Sequence, residues 1–333
     1  MVGRTAAEPA YPVASSTPAG ERHRTAMKIA IIGPGALGCL FGAYLTEGGL
    51  DVTLVDYRAE RARNLEAGGV FVQGVRGDHH VRVKATASAG SLGPADLVVV
   101  CVKAYHTEGA LRSHRSLVGN STAVWSIQNG LGNVEAMARV IPSSCIVGGS
   151  TTMGANLQGV GRVHHAGEGD TFIGEVNGSP SRRVELIAKE VSAAGIRVET
   201  RPDIQRLIWK KVLVNVAINA LTAILRVRNG VLVEHESSMR VMEEAVREAV
   251  QAAATRGILF TEDEALAQAK DVARRTAGNR SSMLADILAG RRTEIDYING
   301  AIAAMAPAPV NRVLADLVRT LEASAASRVD ASA

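Results

Sequence analysis

The stretch Trp209-Lys210-Lys211-Val212-Leu213-Val214-Asn215-Val216-Ala217-Ile218-Asn219 carries the most unusual chemistry of the chain. Lys211, Asn215 and Asn219 recur at i, i+4 and i+8, so they line one side of a helix whose other residues are mostly apolar. Such a stripe is buried or faces a cleft, where each unpartnered polar group costs about 1–3 kcal/mol. A ligand would satisfy it, and so would the ends of neighbouring helices. A second polar cluster follows in Ser281-Ser282-Met283 and in Arg292–Gly300, where Glu294 is either a site residue or an ordinary acid at a helix start. Lys103 directly follows the apolar run Leu97–Val102, and Asn129-Gly130 follows Thr122–Ile127. Taken singly, these read as a snorkelling lysine and a turn.

Near the N-terminus, Gly33-Pro34-Gly35-Ala36-Leu37-Gly38 has the form GxGxxG, after a strand and at the opening of a helix. That context suits a dinucleotide: Gly33 for the tight turn, Gly35 for close approach of a pyrophosphate, Gly38 for helix–strand packing. The second strand ends in Asp56-Tyr57-Arg58, with Arg61 one turn on. An acid at Asp56 would bind a ribose 2′-OH and favour NAD, whereas Arg58 and Arg61 would hold a 2′-phosphate and favour NADP. Both arginines also read as solvation of an exposed helix face.

The elements that must position these residues alternate. Strands are expected at Lys28–Ile32, Asp51–Val55, Leu97–Val102, Thr122–Ile127 and Cys145–Gly148, with helical segments between several of them and a short extended region at Val70–Lys84. This is the pattern of an α/β fold with a parallel sheet, and it puts Lys103 and Asn129 at the sheet's carboxyl edge, where ligands bind. The glycine-rich Gly154–Gly178, including Arg162–His165 and Thr171–Ile173, reads as antiparallel strands appended to that sheet. A helix (Arg182–Ala194) and a strand (Ile196–Thr200) close the unit. Arg201-Pro202-Asp203 reads as a hinge, with Asp203 capping the next helix. Helices are then expected at Ile204–Leu225, Met239–Thr255, Glu262–Ala277, Ser281–Leu288, Glu294–Met305 and Asn311–Ala323. The resulting division is an extension at 1–26 expected to be disordered, a dinucleotide-binding domain at 27–201, a helical substrate and catalytic domain at 202–325 and a frayed tail at 326–333.

Composition narrows the function classes. The 333 residues carry a net charge of +4 and only 3% aromatics, which speaks against a nucleic-acid partner that wants a basic patch and stacking rings. Three cysteines without CxxC spacing suggest reduced cytosolic thiols, with no metal site. No apolar run is read as reaching the ~20 residues of a membrane helix; the longest, Val212–Val227, contains two asparagines. Residues 1–26 lack the apolar core of a secretory signal. A cytoplasmic monomer or homodimer acting on a small molecule is therefore expected.

The sequence resembles ketopantoate reductase (2-dehydropantoate 2-reductase) over essentially all of 27–325. The resemblance rests on MKIAIIGPGALG at 27–38, CVKAY around Lys103, QNGLGN around Asn129, GGSTTMGA at 148–155, WKKVLVNVAINALTAI at 209–224, RNG at 228–230 and SSMLADILAGRRTEIDYING at 281–300. It implies an N-terminal Rossmann-like doubly wound sheet domain followed by an all-α domain like the C-terminal one of 6-phosphogluconate dehydrogenase. It also implies reduction of 2-dehydropantoate to (R)-pantoate by NADPH, a step toward pantothenate. Lys211 is then the general acid, and Glu294 binds the substrate hydroxyl and places that lysine. Asn215, Asn219 and Ser282 hold the substrate, Asn229 is a further contact, and Asn129 and Lys103 lie at the junction of nicotinamide and substrate. Gly33, Pro34, Gly35, Ala36, Leu37 and Gly38, with Asp56, Tyr57 and Arg58, meet the cofactor. Family members commonly carry an arginine near the end of the second strand without an adjacent acid. Here Tyr57 takes about that place, so Asp56 keeps NADH open and, with it, a related 2-oxo-acid reductase. A non-catalytic NAD(P) sensor is the other alternative, one with no need of a proton donor.

Overall fold

The computed structural model describes residues 27–327; the extension at 1–26 and the final 328–333 lie outside the described residues. In chain order the strands are β1 Lys28–Ile32, β2 Asp51–Val55, β3 Val70–Gly74, β4 His79–Val81, β5 Lys84–Thr86, β6 Leu97–Val100, β7 Ala123–Ser126, β8 Ile146–Thr151, β9 Gly154–Gly159, β10 Arg162–Gly167, β11 Thr171–Glu175 and β12 Val198–Thr200. The helices are α1 Ala36–Glu47, α2 Ala59–Gly68, α3 Thr107–Ser113, α4 Asn133–Ala138, α5 Arg182–Ala193, α6 Ile204–Leu225, α7 Glu236–Ala254, α8 Glu262–Arg275, α9 Ser282–Leu288, α10 Asn299–Met305 and α11 Pro309–Ser327.

Eight strands form one sheet in the order β12-β11-β8-β7-β6-β1-β2-β5. From β8 to β5 every pairing is parallel, which is the doubly wound order with its switch point between β1 and β6. Continuous apolar strands explain why this sheet is covered on both faces. Ile29 and Ile31 enter one core with Phe41, Leu54 and Trp125, while Ala30 and Ile32 enter a second with Val98, Leu117 and Met137.

The glycine-rich segment departs from expectation. Only β11 joins the main sheet, antiparallel to β8; β9 and β10 join β3 and β4 in a separate four-stranded sheet. The reason is non-local. β10 finds its parallel partner in β3, and the small sheet packs on α1.

Beyond Thr200 no strand occurs among the described residues. Helix α6 is the axis of this half and packs on α7, α8, α9 and α11. Contrary to the reading of the apolar run, α6 is long and apolar enough by length and composition to cross a membrane; 67% of its most apolar window is buried in the fold. Two further details differ. Asp203 stands at the N-cap of α6 without capping it, because its carboxylate takes a bidentate bond from Arg201 instead. The expected helix Glu294–Met305 is a 3-10 turn (Ile295–Tyr297) and then α10, separated at Ile298 by a non-helical backbone (φ −113°, ψ −97°).

Candidate active site

The glycine turn is built by exclusion. Gly33 has φ +91°, and a Cβ there would lie 2.5 Å from Val102 Cγ1 and 2.7 Å from Val102 N. A Cβ on Gly38 would lie 2.4 Å from the Gly33 carbonyl oxygen. At Gly35 a Cβ would meet nothing within 4 Å. The turn is therefore packed behind and open in front. No side chain caps α1, so its first N–H groups are left to solvent or a ligand, and a pyrophosphate would satisfy them. These residues fit a dinucleotide.

At the end of β2, Asp56 is only 3% exposed. It accepts a 2.9 Å hydrogen bond from the Arg58 N–H, and Arg61 Nε stands 3.2 Å from its other oxygen, close enough to pair but off the hydrogen-bonding line. Arg61 also donates to the Pro34 carbonyl at 3.1 Å. Asp56 is thus internally compensated and tied to the glycine turn. Tyr57 (68% exposed) and Arg58 project outward, with Arg58 Nε on the Tyr57 hydroxyl at 2.6 Å.

Along the sheet's carboxyl edge, the turns after β6 and β7 are locked together. Gln128 Nε2 donates to the Val102 carbonyl (2.7 Å) and to Thr107 Oγ1 (2.8 Å), and Asn133 Nδ2 donates to the Asn129 carbonyl at 2.9 Å. Gly130 (φ +82°) lets the second turn pass under Tyr297, whose carbonyl oxygen would lie 2.5 Å from a Cβ there. The helical half closes on both turns. Leu131 N–H donates to the Tyr297 carbonyl (2.8 Å), and the Tyr105 hydroxyl donates to the Arg292 carbonyl (3.1 Å).

Glu294 sits at this junction, 5% exposed. Its carboxylate accepts from the Ala104 N–H (3.0 Å) and Asn129 Nδ2 (3.3 Å), and Lys103 Nζ lies 3.7 Å away. Lys103 itself donates to Asp286 Oδ2 at 2.5 Å. Burial pushes the Lys103 ammonium down, but Glu294 and Asp286 more than offset it, so it titrates above ordinary lysine. Lys211 Nζ donates to the Thr151 carbonyl at 2.8 Å. Burial pushes its pKa down to about 8, with the Glu294 charge opposing the drop.

The fold therefore brings Lys103, Asn129 and Glu294 into contact and Lys211 within their field. Asn215 and Asn219 continue the face of α6 that Lys211 begins, and neither amide has a hydrogen-bond partner among the described residues. Ser282 is exposed at the first turn of α9, while its neighbour Ser281 caps that helix and receives Thr222 Oγ1 at 2.7 Å. Asn229 is turned to α8, donating to Thr276 Oγ1 at 2.9 Å; no hydrogen bond joins it or Ser282 to the Glu294 cluster. Thr151 and Asp286 escaped sequence reasoning. Thr151 acts through its backbone, which leaves no trace in residue type. Asp286 had one available signal, its position four residues after Ser282 on the same face of α9. Among the described residues no group of His, Cys, Asp and Glu could hold a metal ion.

The arrangement offers a part-buried, protonatable amine held on a backbone carbonyl, with the Glu294 charge acting on it, at the same sheet edge as the glycine turn: what hydride addition to a ketone needs, since the new negative charge on oxygen wants a cationic donor.

Comparison with known proteins gives a consistent result. Residues 29–178 match the family model described as ketopantoate reductase PanE/ApbA, and residues 203–322 match that of its C-terminal part. The chain is 40% identical over 300 residues to the 2-dehydropantoate 2-reductase of Halobacterium salinarum, covering 88% of this chain and 98% of that protein. Its fold matches the PanE/ApbA-family ketopantoate reductase of Ralstonia eutropha with a TM-score of 0.83 and 32% identity, over 90% of this chain and all of that one. It matches D-mandelate dehydrogenase, solved with NADH and anilino(oxo)acetate, with a TM-score of 0.84 and 28% identity, over 90% of this chain and 99% of that one.

Proposed function

The chain belongs to the ketopantoate reductase family, and from that premise we propose that it reduces the ketone of 2-dehydropantoate to the alcohol of (R)-pantoate, with NADPH and with Lys211 as general acid. The observation that carries the reading is the part-buried Lys211, fixed on the Thr151 carbonyl by a 2.8 Å hydrogen bond at the sheet edge where Glu294 meets Asn129 and Lys103. When bound, the cofactor supplies the hydride. Lys211 Nζ transfers a proton to the ketone oxygen as negative charge develops there. Glu294 keeps that lysine protonated near neutral pH and accepts the substrate hydroxyl. Asn215, Asn219 and Ser282 orient the substrate's polar ends, and Asn129 holds Glu294 from the sheet side. Asn229 is a further candidate contact.

Choice of NADPH is supported by the β2 corner. The Asp56 carboxylate is turned inward onto the Arg58 N–H and Arg61, which reduces its repulsion of a 2′-phosphate and leaves the Arg58 guanidinium outside to meet one. Gly33, Pro34, Gly35, Ala36, Leu37 and Gly38 form the pyrophosphate cradle, and Tyr57 flanks the adenosine end.

A second reading, a bulkier 2-oxo acid reduced with NADH, is favoured by the likeness to D-mandelate dehydrogenase and by the retention of Asp56. Initial rates with 2-dehydropantoate and with an aromatic 2-oxo acid, each with NADPH and NADH, decide between them. The proposal expects the highest kcat/KM for 2-dehydropantoate with NADPH; a higher value for the aromatic acid with NADH overturns it.

A further inference from the structure

Glu294 comes from the helical half and meets two donors of the sheet half, one for each oxygen. The Ala104 N–H gives Oε1 a 3.0 Å bond and Asn129 Nδ2 gives Oε2 a 3.3 Å bond, with the Lys103 ammonium 3.7 Å from Oε2. The two donors belong to different turns, one after β6 and one after β7. Neither turn alone fixes the spacing between them, so a third connection must hold the turns in register.

Three side chains behind the turns make it. Thr107, the first residue of α3, donates through Oγ1 to the Ala104 carbonyl at 2.8 Å. Asn133, the first residue of α4, donates through Nδ2 to the Asn129 carbonyl at 2.9 Å, with the Gly130 carbonyl at 3.4 Å. Gln128 Nε2 joins the two sides by donating to Thr107 Oγ1 at 2.8 Å, and Asn133 Oδ1 lies 3.3 Å from that same oxygen. Gln128 is held in its turn, by the Val102 carbonyl at 2.7 Å and by Ser126 Oγ at 3.1 Å. Thr107 is fully buried and Asn133 nearly so. A threonine at a helix start often bonds back to a carbonyl of the preceding turn, and alone it would mean no more than that. Here its oxygen also receives an amide from the second turn, and the neighbouring Asn133 holds the residue whose side chain meets Glu294.

We infer that Thr107 and Asn133 are positioning residues: by gripping the carbonyls of Ala104 and Asn129 and meeting each other, they set the distance between the two donors that receive the Glu294 carboxylate. Each acts through the residue it holds, and their burial keeps that geometry preformed. The inference rests on the reading of Glu294 as the group that binds the substrate hydroxyl.

The test is a double-substitution cycle. With the 2-oxo acid that the wild type reduces best, kcat/KM is measured in the wild type, Thr107→Val, Thr107→Ser and Asn133→Ala, and again with each substitution in a Glu294→Ala background. The expected loss in Thr107→Val and Asn133→Ala is about fivefold or more, the worth of a displaced hydrogen bond. Thr107→Ser should recover to within about twofold of the wild type, and the same substitutions should cost less than about twofold once Glu294 is gone. A purely structural role would lower the rate alike in both backgrounds. A loss of equal size in both, or no loss in the wild type, overturns the inference and leaves the two residues as ties between turns. Should Asn133→Ala fail to fold, Thr107→Val, which exchanges one hydroxyl for a methyl, decides alone. Glu294→Ala with the kcat/KM of the wild type is a different failure: it overturns the reading of Glu294 first, and the inference with it.

Discussion

Lys211 Nζ donates a 2.8 Å hydrogen bond to the backbone carbonyl of Thr151, the last residue of β8. The amine of the helical half is thereby fixed at the carboxyl edge of the sheet, where the dinucleotide cradle also opens. A carbonyl is a suitable anchor, since it orients the ammonium but cannot take its proton.

The first prediction concerns pH. Burial sets the Lys211 pKa at about 8, below that of a free lysine. Reduction needs the protonated amine, so kcat/KM for 2-dehydropantoate should fall as pH rises through about 8. Oxidation of pantoate needs the neutral amine and should rise through the same midpoint. Rate profiles in both directions, from pH 6 to 10 or so, check this; a reduction rate flat through that range speaks against it.

Replacing Glu294 by Gln removes the charge that opposes the burial of Lys211 while keeping one acceptor for the Ala104 N–H. The reductive profile should lose its alkaline limb at lower pH than in the wild type, with kcat at pH 8 reduced at least about tenfold. An unshifted limb would detach Glu294 from Lys211.

Gly35 and Gly33 separate cofactor binding from folding. In Gly35→Ala the new methyl meets no protein atom within 4 Å, so Tm should hold while NADPH affinity, read by fluorescence titration, falls at least about tenfold. Gly33→Ala strains φ +91° and drives a methyl into Val102. It should lose about 1–3 kcal/mol of stability as well as cofactor affinity.

At the β2 corner, Arg58→Ala should raise the KM for NADPH by about 10–100-fold, the value of a charge-assisted bond to phosphate, and leave the KM for NADH nearly unchanged. Equal effects on both cofactors would remove Arg58 from phosphate recognition.

Much of this was legible in the chain because the signals were local. GxGxxG declares its turn through backbone sterics, and uninterrupted β-branched strands such as Leu97–Val100 declare a sheet buried on both faces. What escaped depends on distant partners. The pairing of β10 with β3 joins His164 to Gln73 across segments with no shared pattern. The bond from Lys103 to Asp286 spans 183 residues, and an aspartate among the apolar residues of α9 does not announce what it faces. Asp56 shows a third limit: residue type told of an acid at the ribose position, but not that Arg58 and Arg61 turn it inward.

The central claim is that Lys211 is the proton donor in the reduction of 2-dehydropantoate by NADPH. Turnover of Lys211→Ala beside the wild type at pH 7, both saturated with cofactor, tests it most directly. A kcat lowered by at least about 100-fold, in a variant that still folds and binds NADPH, is the expected result; a rate near that of the wild type would contradict it.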